Sequence, residues 1–403
     1  MLPCVHKLEE TKEKSKKKKK KTIIAMSNDE RMSLFPIRNK CVPYGNDQEI
    51  LDAFEADGYC VVTNIFTQEE INEMMEESWT SERLLGKFDR NKPQTWGDPA
   101  WPQQDGGRNF LQSQNVFQDA VSWDIQGSEK LLHVQKLLYG RSDIMMSSVG
   151  RFGVMRPTAN NPKWRTESSW LHWDQNPWTQ PAFSKVQCAV CLTDNTPTSG
   201  GFACVPGFHR EFQSWGEAHT LGSLLVNGKV IDESFGDGQP FPVPEDDTCQ
   251  SRLVRVVAPA GSAVLWDSRL PHQNYPNTDE NDFRVVHYTM MRIIDDTLAY
   301  ERRRLLIQKR ILMDLWEEPG LRFPHNLSRT ACIVNCLEES PQTLEQALQE
   351  FGVEDPDSLR EASKLVLQAG ECEEQGDMSG AIKKHRQSIR VFPDIESWHE
   401  AIF

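Results

Sequence analysis

The chain has 403 residues and a formal net charge of −14, and 38% of its residues are hydrophobic. This hydrophobic content excludes a wholly disordered chain, and the length predicts two or three domains. Nine Lys against three Glu give residues 1–21 a charge of +6, so the remainder carries −20, which argues against nucleic acid as the main ligand.

Residues 1–43 are predicted to be a disordered, lysine-rich tail, because the unbroken run Lys16–Lys21 repels itself and cannot be buried. Such a run is typical of a nuclear localisation signal, of a polyanion-binding arm or of a solvated tail without a role. Met26 is an alternative start. The sequence shows no secretory signal and no stretch long enough to span a membrane, so we expect a cytoplasmic protein, with the nucleus as the alternative.

Helix and strand signals alternate between residues 47 and 139. Asp57-Gly58 is a helix stop signal, and Thr67-Gln-Glu-Glu70 is a capping box, in which the Thr hydroxyl and the Glu carboxylate bind free amides at a helix start. The predicted elements are a helix over Gln48–Phe54, a strand over Tyr59–Phe66, a helix over Gln68–Trp79, a loop over 86–127 and a helix over Ser128–Tyr139.

Short strands separated by turns are predicted from residue 143 to residue 300, a spacing that favours a β-sandwich or barrel. The Gly- and Pro-rich segment 214–249 is interpreted as an insertion over one mouth. The fold class is therefore mostly β with flanking helices, and residues 44–300 are predicted to form one domain. The predicted strands are 144–154, 168–173, 185–193, 202–205, 252–257, 262–267 and 283–293.

The chain becomes charged and helical after Asp295, so residues 301–403 are predicted to be a C-terminal α-helical extension. Within it, a hairpin of about residues 358–395 is similar to one degenerate tetratricopeptide (TPR) repeat, with Gly376, Ala381 and Pro393 at its turn, packing and terminal positions. A single repeat cannot bury its own face, so we expect it to pack on the preceding domain or on a protein partner. An ordinary helical hairpin is the alternative.

The chain contains ten Cys, and Cys188 and Cys191 form a Cys-x-x-Cys pair. The pair lies in a predicted strand, where positions three apart point to opposite faces, so a shared metal is not expected. Reduced and buried thiols are the favoured interpretation.

His172-Trp-Asp174 carries the strongest chemical signal. Two residues apart on a strand, an imidazole and a carboxylate point the same way and supply two of the three ligands of a 2-His-1-carboxylate iron site. The turn and strand Pro259–Ser268 deliver His272 as a third ligand. Arg284 opens another strand, and its guanidinium can hold a carboxylate by two parallel hydrogen bonds, whereas Arg292 lies too far along that strand. Taken singly, His272 is more typical of a hydrogen-bonded core residue and Arg284 of a surface ion pair.

These motifs together resemble the phytanoyl-CoA dioxygenase family of iron(II)/2-oxoglutarate oxygenases over roughly residues 48–295. The resemblance implies a double-stranded β-helix (jelly roll) core. No single motif is specific, but their order is. The segments that carry it are Phe54–Tyr59, His172–Gln175, Val190–Asp194, Gly200–His209, Pro259–Asp267 and His272 with Pro276-Asn277 and Arg284.

The resemblance also implies the cofactors and the residues that bind them. His172, Asp174 and His272 would be the catalytic iron(II) ligands, and Arg284 would anchor 2-oxoglutarate, with Asn274 as a weaker candidate. Dioxygen would be the second co-substrate and ascorbate a candidate reductant.

Two further residues near these motifs have less defined roles. His209 would be structural or line the mouth. Gln187 is a further candidate to line the cofactor pocket, because it shares a strand face with Ala189 and Cys191.

The expected reaction is hydroxylation of a small-molecule or acyl substrate with release of succinate and carbon dioxide. Related halogenases lack the carboxylate that Asp174 supplies here, so hydroxylation or another oxidation is favoured over halogenation. The end Ala401-Ile-Phe403 is not a peroxisomal signal, and the family does not fix the substrate. The rivals are a catalytically silent jelly-roll scaffold acting through its helical tail, and a zinc hydrolase with the same three ligands.

Tryptophans bracket the proposed metal-binding strand. Trp170 shares a face with the first ligand and is expected near the site, whereas Trp173 is turned away and should pack outside the core sheet. Trp178 follows in the next loop, where a mouth is expected. Trp170, Trp178 and Arg165 are therefore the substrate candidates. Since Arg165 and Arg156 lie on the same approach, we expect an apolar or planar substrate that carries a carboxylate or phosphate.

Overall fold

The first two helices of the computed structural model start and stop at the signals predicted from the sequence. Helix α1 (Asp47–Asp57) ends at Gly58, whose φ of 73° is left-handed and whose N–H binds the Phe54 carbonyl. Before helix α2 (Gln68–Thr80), the Thr67 N–H donates to Glu70 Oε2 at 2.8 Å, and the Glu70 N–H donates to Thr67 Oγ1 at 3.2 Å. The capping box is thus confirmed.

The structure describes residues 32–80, 89–97, 101, 110–113, 120–142, 144–146, 151–168, 170–220, 222, 224–226, 229–231, 240–293, 349, 353–374 and 377–398. The further helices are α3 (Ala120–Gln126), α4 (Glu129–Tyr139), α5 (Phe212–Ala218), α6 (Pro356–Glu374) and α7 (Met378–Val391). The strands are β1 (Ile37–Arg38), β2 (Val42–Pro43), β3 (Tyr59–Thr63), β4 (Leu111–Ser113), β5 (Ile144–Met146), β6 (Arg151–Met155), β7 (His172–Trp173), β8 (Val186–Cys191), β9 (Gly201–Cys204), β10 (Leu224–Val226), β11 (Lys229–Ile231), β12 (Phe241–Pro242), β13 (Val254–Val256), β14 (Ala263–Asp267), β15 (His272–Tyr275) and β16 (Arg284–Ile293).

Two mixed β-sheets carry the core, which confirms the β-rich class with flanking helices. The larger has the order β2-β3-β14-β8-β16-β6-β4, with β5 also paired to β16, and the smaller has the order β1-β13-β9-β15-β7-β12. Their inner faces meet, since the ring of Phe202 in β9 lies 4.6 Å from that of Trp266 in β14. The outer face of the larger sheet packs against α1, α2 and α4 in a second hydrophobic cluster.

Strand β8 shows how alternation separates the two cores. Cys188 belongs to the outer cluster with the helices, and Cys191 belongs to the inner cluster between the sheets. The two thiols therefore point to opposite faces, as predicted, and both are free and buried.

The predicted tail was wrong for residues 32–43. Strand β1 adds in parallel to β13, with Ile37 opposite Arg255, and β2 adds in parallel to β3. Arg255 also donates to the Ser33 carbonyl at 3.1 Å. Strands of two residues are too short to show alternation in a sequence, so composition alone placed this segment in the tail. Residues 1–31, including the lysine run, lie outside the described residues.

Segments 86–127 and 214–249 hold more regular structure than predicted. The described parts of the first include β4, which pairs with β6, and helix α3. The second begins inside α5 and continues through the β10–β11 hairpin to β12, which pairs with β7 so that Phe241 lies opposite Trp173. Part of this segment is therefore a strand of the smaller sheet and not an insertion.

Helices α6 and α7 pack against each other as a helical hairpin, and the helical extension predicted over residues 301–403 stays a prediction. Leu359, Ala362 and Val366 of α6 belong to the same hydrophobic cluster as the outer face of the larger sheet, so one side of the hairpin packs on the preceding domain. Asp377 caps α7 by accepting the Gly380 N–H at 2.9 Å. The tetratricopeptide resemblance stays a prediction, and Gly376 lies outside the described residues. None of the described helices combines the length and apolarity needed to cross a membrane.

Candidate metal centre

The pairing of β7 with β15 brings the predicted histidines together. His172 and His272 are direct partners in this antiparallel pair, and their rings lie 4.4 Å apart. Asp174 follows β7 and completes the group, with Oδ1 3.3 Å from His172 Nε2 and Oδ2 3.4 Å from His272 Nε2. Among the described residues this is the one cluster of three potential metal ligands, with all its ligand atoms within 4.8 Å of one another.

Backbone carbonyls fix which nitrogen each histidine presents. His172 Nδ1 lies 3.0 Å from the Trp170 carbonyl, and His272 Nδ1 lies 3.0 Å from the Leu270 carbonyl. A carbonyl only accepts hydrogen bonds, so each Nδ1 carries the proton and each Nε2 keeps its lone pair. Both lone pairs then point toward Asp174, in the tautomer that suits metal ligation.

The protonation states also suit a metal. Burial of His172, together with the neighbouring His272, lowers the pKa of His172, so this imidazole is neutral near pH 7. Burial opposes ionisation of Asp174, but the positive charge of the two neighbouring histidines in their protonated form lowers the pKa of this carboxyl well below its usual range, and a bound cation would act in the same direction. Neutral imidazole and ionised carboxylate are the states in which such side chains bind a divalent ion.

Gln187 of β8 holds the carboxylate ligand in place. Its Nε2 donates to Asp174 Oδ2 at 2.6 Å, which fixes the orientation of the amide because a carboxylate only accepts. The Gln187 Oε1 is buried and has no hydrogen-bond donor among the described residues. The sequence marked Gln187 only as a candidate to line the pocket, since its contact with Asp174 crosses from one sheet to the other.

The three ligands fit a mononuclear iron site. Ligand atoms about 2.1 Å from a common ion lie about 3 Å apart when they are adjacent around it. The 3.3 Å and 3.4 Å separations are close to that spacing. Two histidines and one carboxylate on one side of an ion form the facial triad of iron(II) oxygenases, which leaves positions open for other ligands.

Arg284 is a buried cation at the start of β16. It has no exposed surface, and its Nε donates to Asn195 Oδ1 at 3.1 Å. Its Nη1 and Nη2 have no hydrogen-bond partner among the described residues. A buried guanidinium without a counter-ion is destabilising by several kcal/mol, so this pair of donors fits an anionic group such as the far carboxylate of 2-oxoglutarate.

Asn274 lies on the same face of β15 as His272, two residues further on. Its Oδ1 is 3.4 Å from the Tyr288 hydroxyl of β16, and Tyr288 shares the face of Arg284. The structure thus places Asn274 on the strand face of His272 and in contact with the strand that carries Arg284. Tyr288 was not singled out from the sequence, because a lone tyrosine in a strand has no distinguishing signal.

Trp170 and Trp173 lie on opposite faces, as predicted. The Trp170 indole stacks on His172 at 4.9 Å with an interplanar angle of 17°, which places it beside the metal ligands. Trp173 is 1% exposed and packs on the outer side of the smaller sheet, with its ring 4.6 Å from Trp215.

Trp178 belongs to the same outer aromatic group as Trp173. Its ring lies 6.0 Å from Trp215 and 6.1 Å from Phe241, and its Nε1 donates to the His219 carbonyl at 2.6 Å. The structure does not bring Trp178 to the metal ligands, which corrects its assignment to the mouth of the site. The chain turns back after Asp174 to cover the outside of the sheet.

The other sequence candidates are Arg156, Arg165 and His209. The Arg156 guanidinium is 4.5 Å from the rings of both Trp101 and Trp164 and is buried, so it supports packing. Arg165 ends the short turn Pro162–Trp164 and is half-buried. His209 binds the Glu55 carbonyl through Nε2 at 3.1 Å, in agreement with a structural role.

Two facing sheets that present a buried His-Asp-His triad and a buried arginine define a non-haem iron protein of the dioxygenase class. Residues 54–286, more than half of the chain, match the model of the phytanoyl-CoA dioxygenase (PhyH) family. The chain belongs to this family. At the level of the family it is a 2-oxoglutarate- and iron-dependent dioxygenase.

Two relatives agree with this assignment, and one solved structure has a similar fold. A putative phytanoyl-CoA dioxygenase of Dictyostelium discoideum is 23% identical over 269 residues, which cover 57% of this chain and 70% of the relative. An ectoine dioxygenase of Bordetella bronchiseptica is 26% identical over 272 residues, which cover 62% and 79%. GlcNAc Inducible Gene 2 (GIG2, DUF1479) from Candida albicans has a similar fold, with a TM-score of 0.50 at 13% identity, over 82% of this chain and 88% of that one.

Proposed function

We propose that this protein hydroxylates a small-molecule or acyl substrate, using dioxygen and 2-oxoglutarate and releasing succinate and carbon dioxide. The observation that carries the proposal is the pair of donors on the buried Arg284 that no described residue accepts from, in the same interior as the His-Asp-His triad. We further propose that the two sheets form the double-stranded β-helix, or jelly roll, implied by the sequence resemblance.

Different side chains would bind the iron and the 2-oxoglutarate. His172, Asp174 and His272 would hold iron(II), and Arg284 would take the far carboxylate of 2-oxoglutarate through its two terminal nitrogens. Bound iron supplies the activation of dioxygen that is coupled to decarboxylation of the co-substrate. Gln187 keeps the Asp174 carboxylate turned toward the histidines, and the apolar residues between the sheets exclude water.

The proposed substrate site adjoins Trp170. Its half-buried indole lies against His172 and offers a flat apolar surface beside the metal. An apolar or planar substrate body therefore remains our proposal, with Arg165 as a weaker candidate for an anionic group. The relatives named above are ectoine and phytanoyl-CoA dioxygenases, which supports a small organic or acyl substrate.

The rival functions account less well for Arg284. A zinc hydrolase with the same three ligands has no need of a buried arginine with two unpartnered donors. A silent scaffold acting through its C-terminal helices has no need of either site. The Asp174 carboxylate favours hydroxylation over halogenation, because it occupies the position at which a halide would bind.

Turnover of 2-oxoglutarate tests the proposal directly. Wild-type protein with iron(II) should form succinate under air, and zinc should not replace iron. Arg284→Lys should raise the KM for 2-oxoglutarate at least about tenfold, because a point charge loses the two-pronged contact. His272→Ala should abolish both iron binding and turnover.

Thermal unfolding provides the control for both variants. Full iron occupancy and activity in His272→Ala, or an unchanged KM in Arg284→Lys, would contradict the assigned residues. Absence of succinate from wild-type protein with every substrate class tried, together with hydrolysis in the presence of zinc, would favour the hydrolase.

A further inference from the structure

We propose that Asn195 is a positioning residue that holds Arg284 with a neutral acceptor, and so keeps the whole positive charge of the guanidinium for the co-substrate. This inference rests on the proposed binding of 2-oxoglutarate by Arg284. It adds a residue from outside the recognised motifs, in the turn that follows β8.

The contact between the two side chains is buried and specific. Asn195 is 2% exposed, and its Oδ1 accepts the Arg284 Nε–H at 3.1 Å. Its backbone is fixed by reciprocal hydrogen bonds with Ala258, at 2.8 Å and 3.0 Å. The acceptor therefore has little freedom, and it engages the one guanidinium nitrogen that lies away from the two-pronged end.

Cys191 fixes the orientation of the Asn195 amide. The Asn195 Nδ2 donates to Cys191 Sγ at 3.0 Å, so the amide nitrogen faces the sulfur and the amide oxygen faces the arginine. Guanidinium nitrogens only donate, which makes the reverse orientation unfavourable on the arginine side. The chain Cys191–Asn195–Arg284 thus aims Nη1 and Nη2 without using either of them.

Among the described residues, no group beside Arg284 carries a compensating charge at pH 7. Burial raises the pKa of the Cys191 thiol to about 12 and raises that of the Tyr275 hydroxyl above its ordinary value, so both groups are neutral at pH 7. Arg284 makes no salt bridge with any described carboxylate. An aspartate at position 195 would have nearly the same shape and would still accept from Nε, but it would neutralise the arginine.

Because aspartate keeps the shape of asparagine but adds a negative charge, Asn195→Asp tests the proposal. Asn195→Asp should weaken 2-oxoglutarate binding at least about tenfold, because an internal carboxylate competes with that of the co-substrate. The same variant should melt no lower than wild type, because it gives a buried charge a partner. Dissociation constants would be measured by calorimetry on manganese-loaded protein, and KM and kcat for iron-loaded protein by succinate formation.

Asn195→Ala removes the acceptor without adding charge. It should also raise the KM for 2-oxoglutarate, but with a lower melting temperature, since the Arg284 side chain loses the one hydrogen bond that it makes to a described residue and a small cavity forms. Both variants should bind 2-oxoglutarate more weakly, but only Asn195→Ala should have a lower melting temperature. A purely structural role of Asn195 would instead make weaker binding and a lower melting temperature occur together.

A matched variant controls for the added charge. Asn46→Asp places the same change at the exposed start of α1 and should leave 2-oxoglutarate binding at the wild-type value. If Asn195→Asp binds 2-oxoglutarate as tightly as wild type, the inference is overturned while the proposed function stands. If wild type itself binds no 2-oxoglutarate and Arg284→Ala changes nothing, the proposed function is overturned, and this inference with it.

Discussion

At the scale of single residues, a side chain of the larger sheet orients a metal-ligand candidate that the smaller sheet carries. Gln187 reaches from β8 to the Asp174 carboxylate that follows β7, and its amide donates at 2.6 Å. Outer contacts of this kind orient a metal ligand and are typically worth 10–100-fold in metal affinity or activity. The site therefore depends on side chains that do not touch the metal.

Gln187→Met tests this dependence, because methionine has a similar length and no hydrogen-bond donor. We expect the iron(II) dissociation constant to rise about 10–100-fold with little change in melting temperature. Competition with a coloured chelator measures the constant. Gln213→Met, on the exposed side of α5, is the matched control and should bind iron like wild type. Equal affinities in the two variants would mean that Asp174 is oriented without Gln187.

A buried histidine outside the site makes the stability depend on pH. Burial lowers the pKa of His287 in β16 to about 3, with its ring 5.0 Å from that of Phe152. Between that value and an unfolded pKa of about 6.5, the unfolded chain binds a proton that the folded chain excludes. The free energy of unfolding should therefore fall with decreasing pH, by up to about 1.4 kcal/mol per pH unit from this group.

His287→Leu should flatten that dependence. Denaturant unfolding of both proteins at pH 7, 6 and 5 would measure it, and the gap between them should change in favour of the variant as the pH falls. A parallel shift at all three pH values would show that His287 is protonated in the folded protein or does not contribute.

At the scale of elements, the two residues of β7 have different roles, because one is a metal-ligand candidate and the other packs in a hydrophobic layer. His172 faces the triad, and Trp173 faces the aromatic group formed with Phe208, Phe212 and Trp215. Side chains alternate between the two faces of a strand, so β7 presents His172 on one face and is packed against the outer aromatic residues through Trp173 on the other. A change on one face should leave the other largely unaffected.

Trp173→Ala should lower the free energy of unfolding by about 3–5 kcal/mol, the usual cost of truncating a buried tryptophan. The folded fraction should keep the wild-type affinity for iron. Trp178→Ala is the comparison, and because this ring is only half-buried we expect a smaller loss of stability. A loss of iron affinity in Trp173→Ala without loss of stability would mean that the facing of β7 has been assigned incorrectly.

The triad was predictable from the sequence because two of its members lie only two residues apart, His172 in β7 and Asp174 directly after it. Strand β15 was not among the predicted strands, since His272–Tyr275 is polar and lies between Pro271 and Pro276. His272 could nevertheless be assigned from its place after a recognisable turn and strand. Asn195 carried no signal, because its partner Arg284 lies far along the chain and only the folding of β8 beside β16 brings them together.

At the scale of the whole molecule, residues 32–43 join both sheets at one edge each. Strand β1 extends the smaller sheet and β2 the larger, so the short connection between them links the two layers. Met32 is 3% exposed and belongs to the hydrophobic cluster that contains the buried residues of the smaller sheet. This segment is therefore part of the folded domain.

Two truncations distinguish this segment from the lysine-rich stretch before it. A chain that starts at Met32 should keep the strands and melt close to the full-length protein. A chain that starts at Tyr44 should melt several degrees lower, because β13 and β3 lose their edge partners and Arg255 loses the Ser33 carbonyl. Equal melting temperatures of the two truncated chains would show that the edge strands do not contribute to stability.

The pairing of β1 with β13 also has a consequence for synthesis on the ribosome. Ile37 and Arg255 are partners although 218 positions separate them, the difference between their residue numbers. At about 5–20 residues per second, Ile37 is made on the order of ten seconds or more before its partner exists. Strand β1 must therefore stay without its partner in the nascent chain until β13 emerges, whereas β2 meets its partner β3 only about 20 positions later.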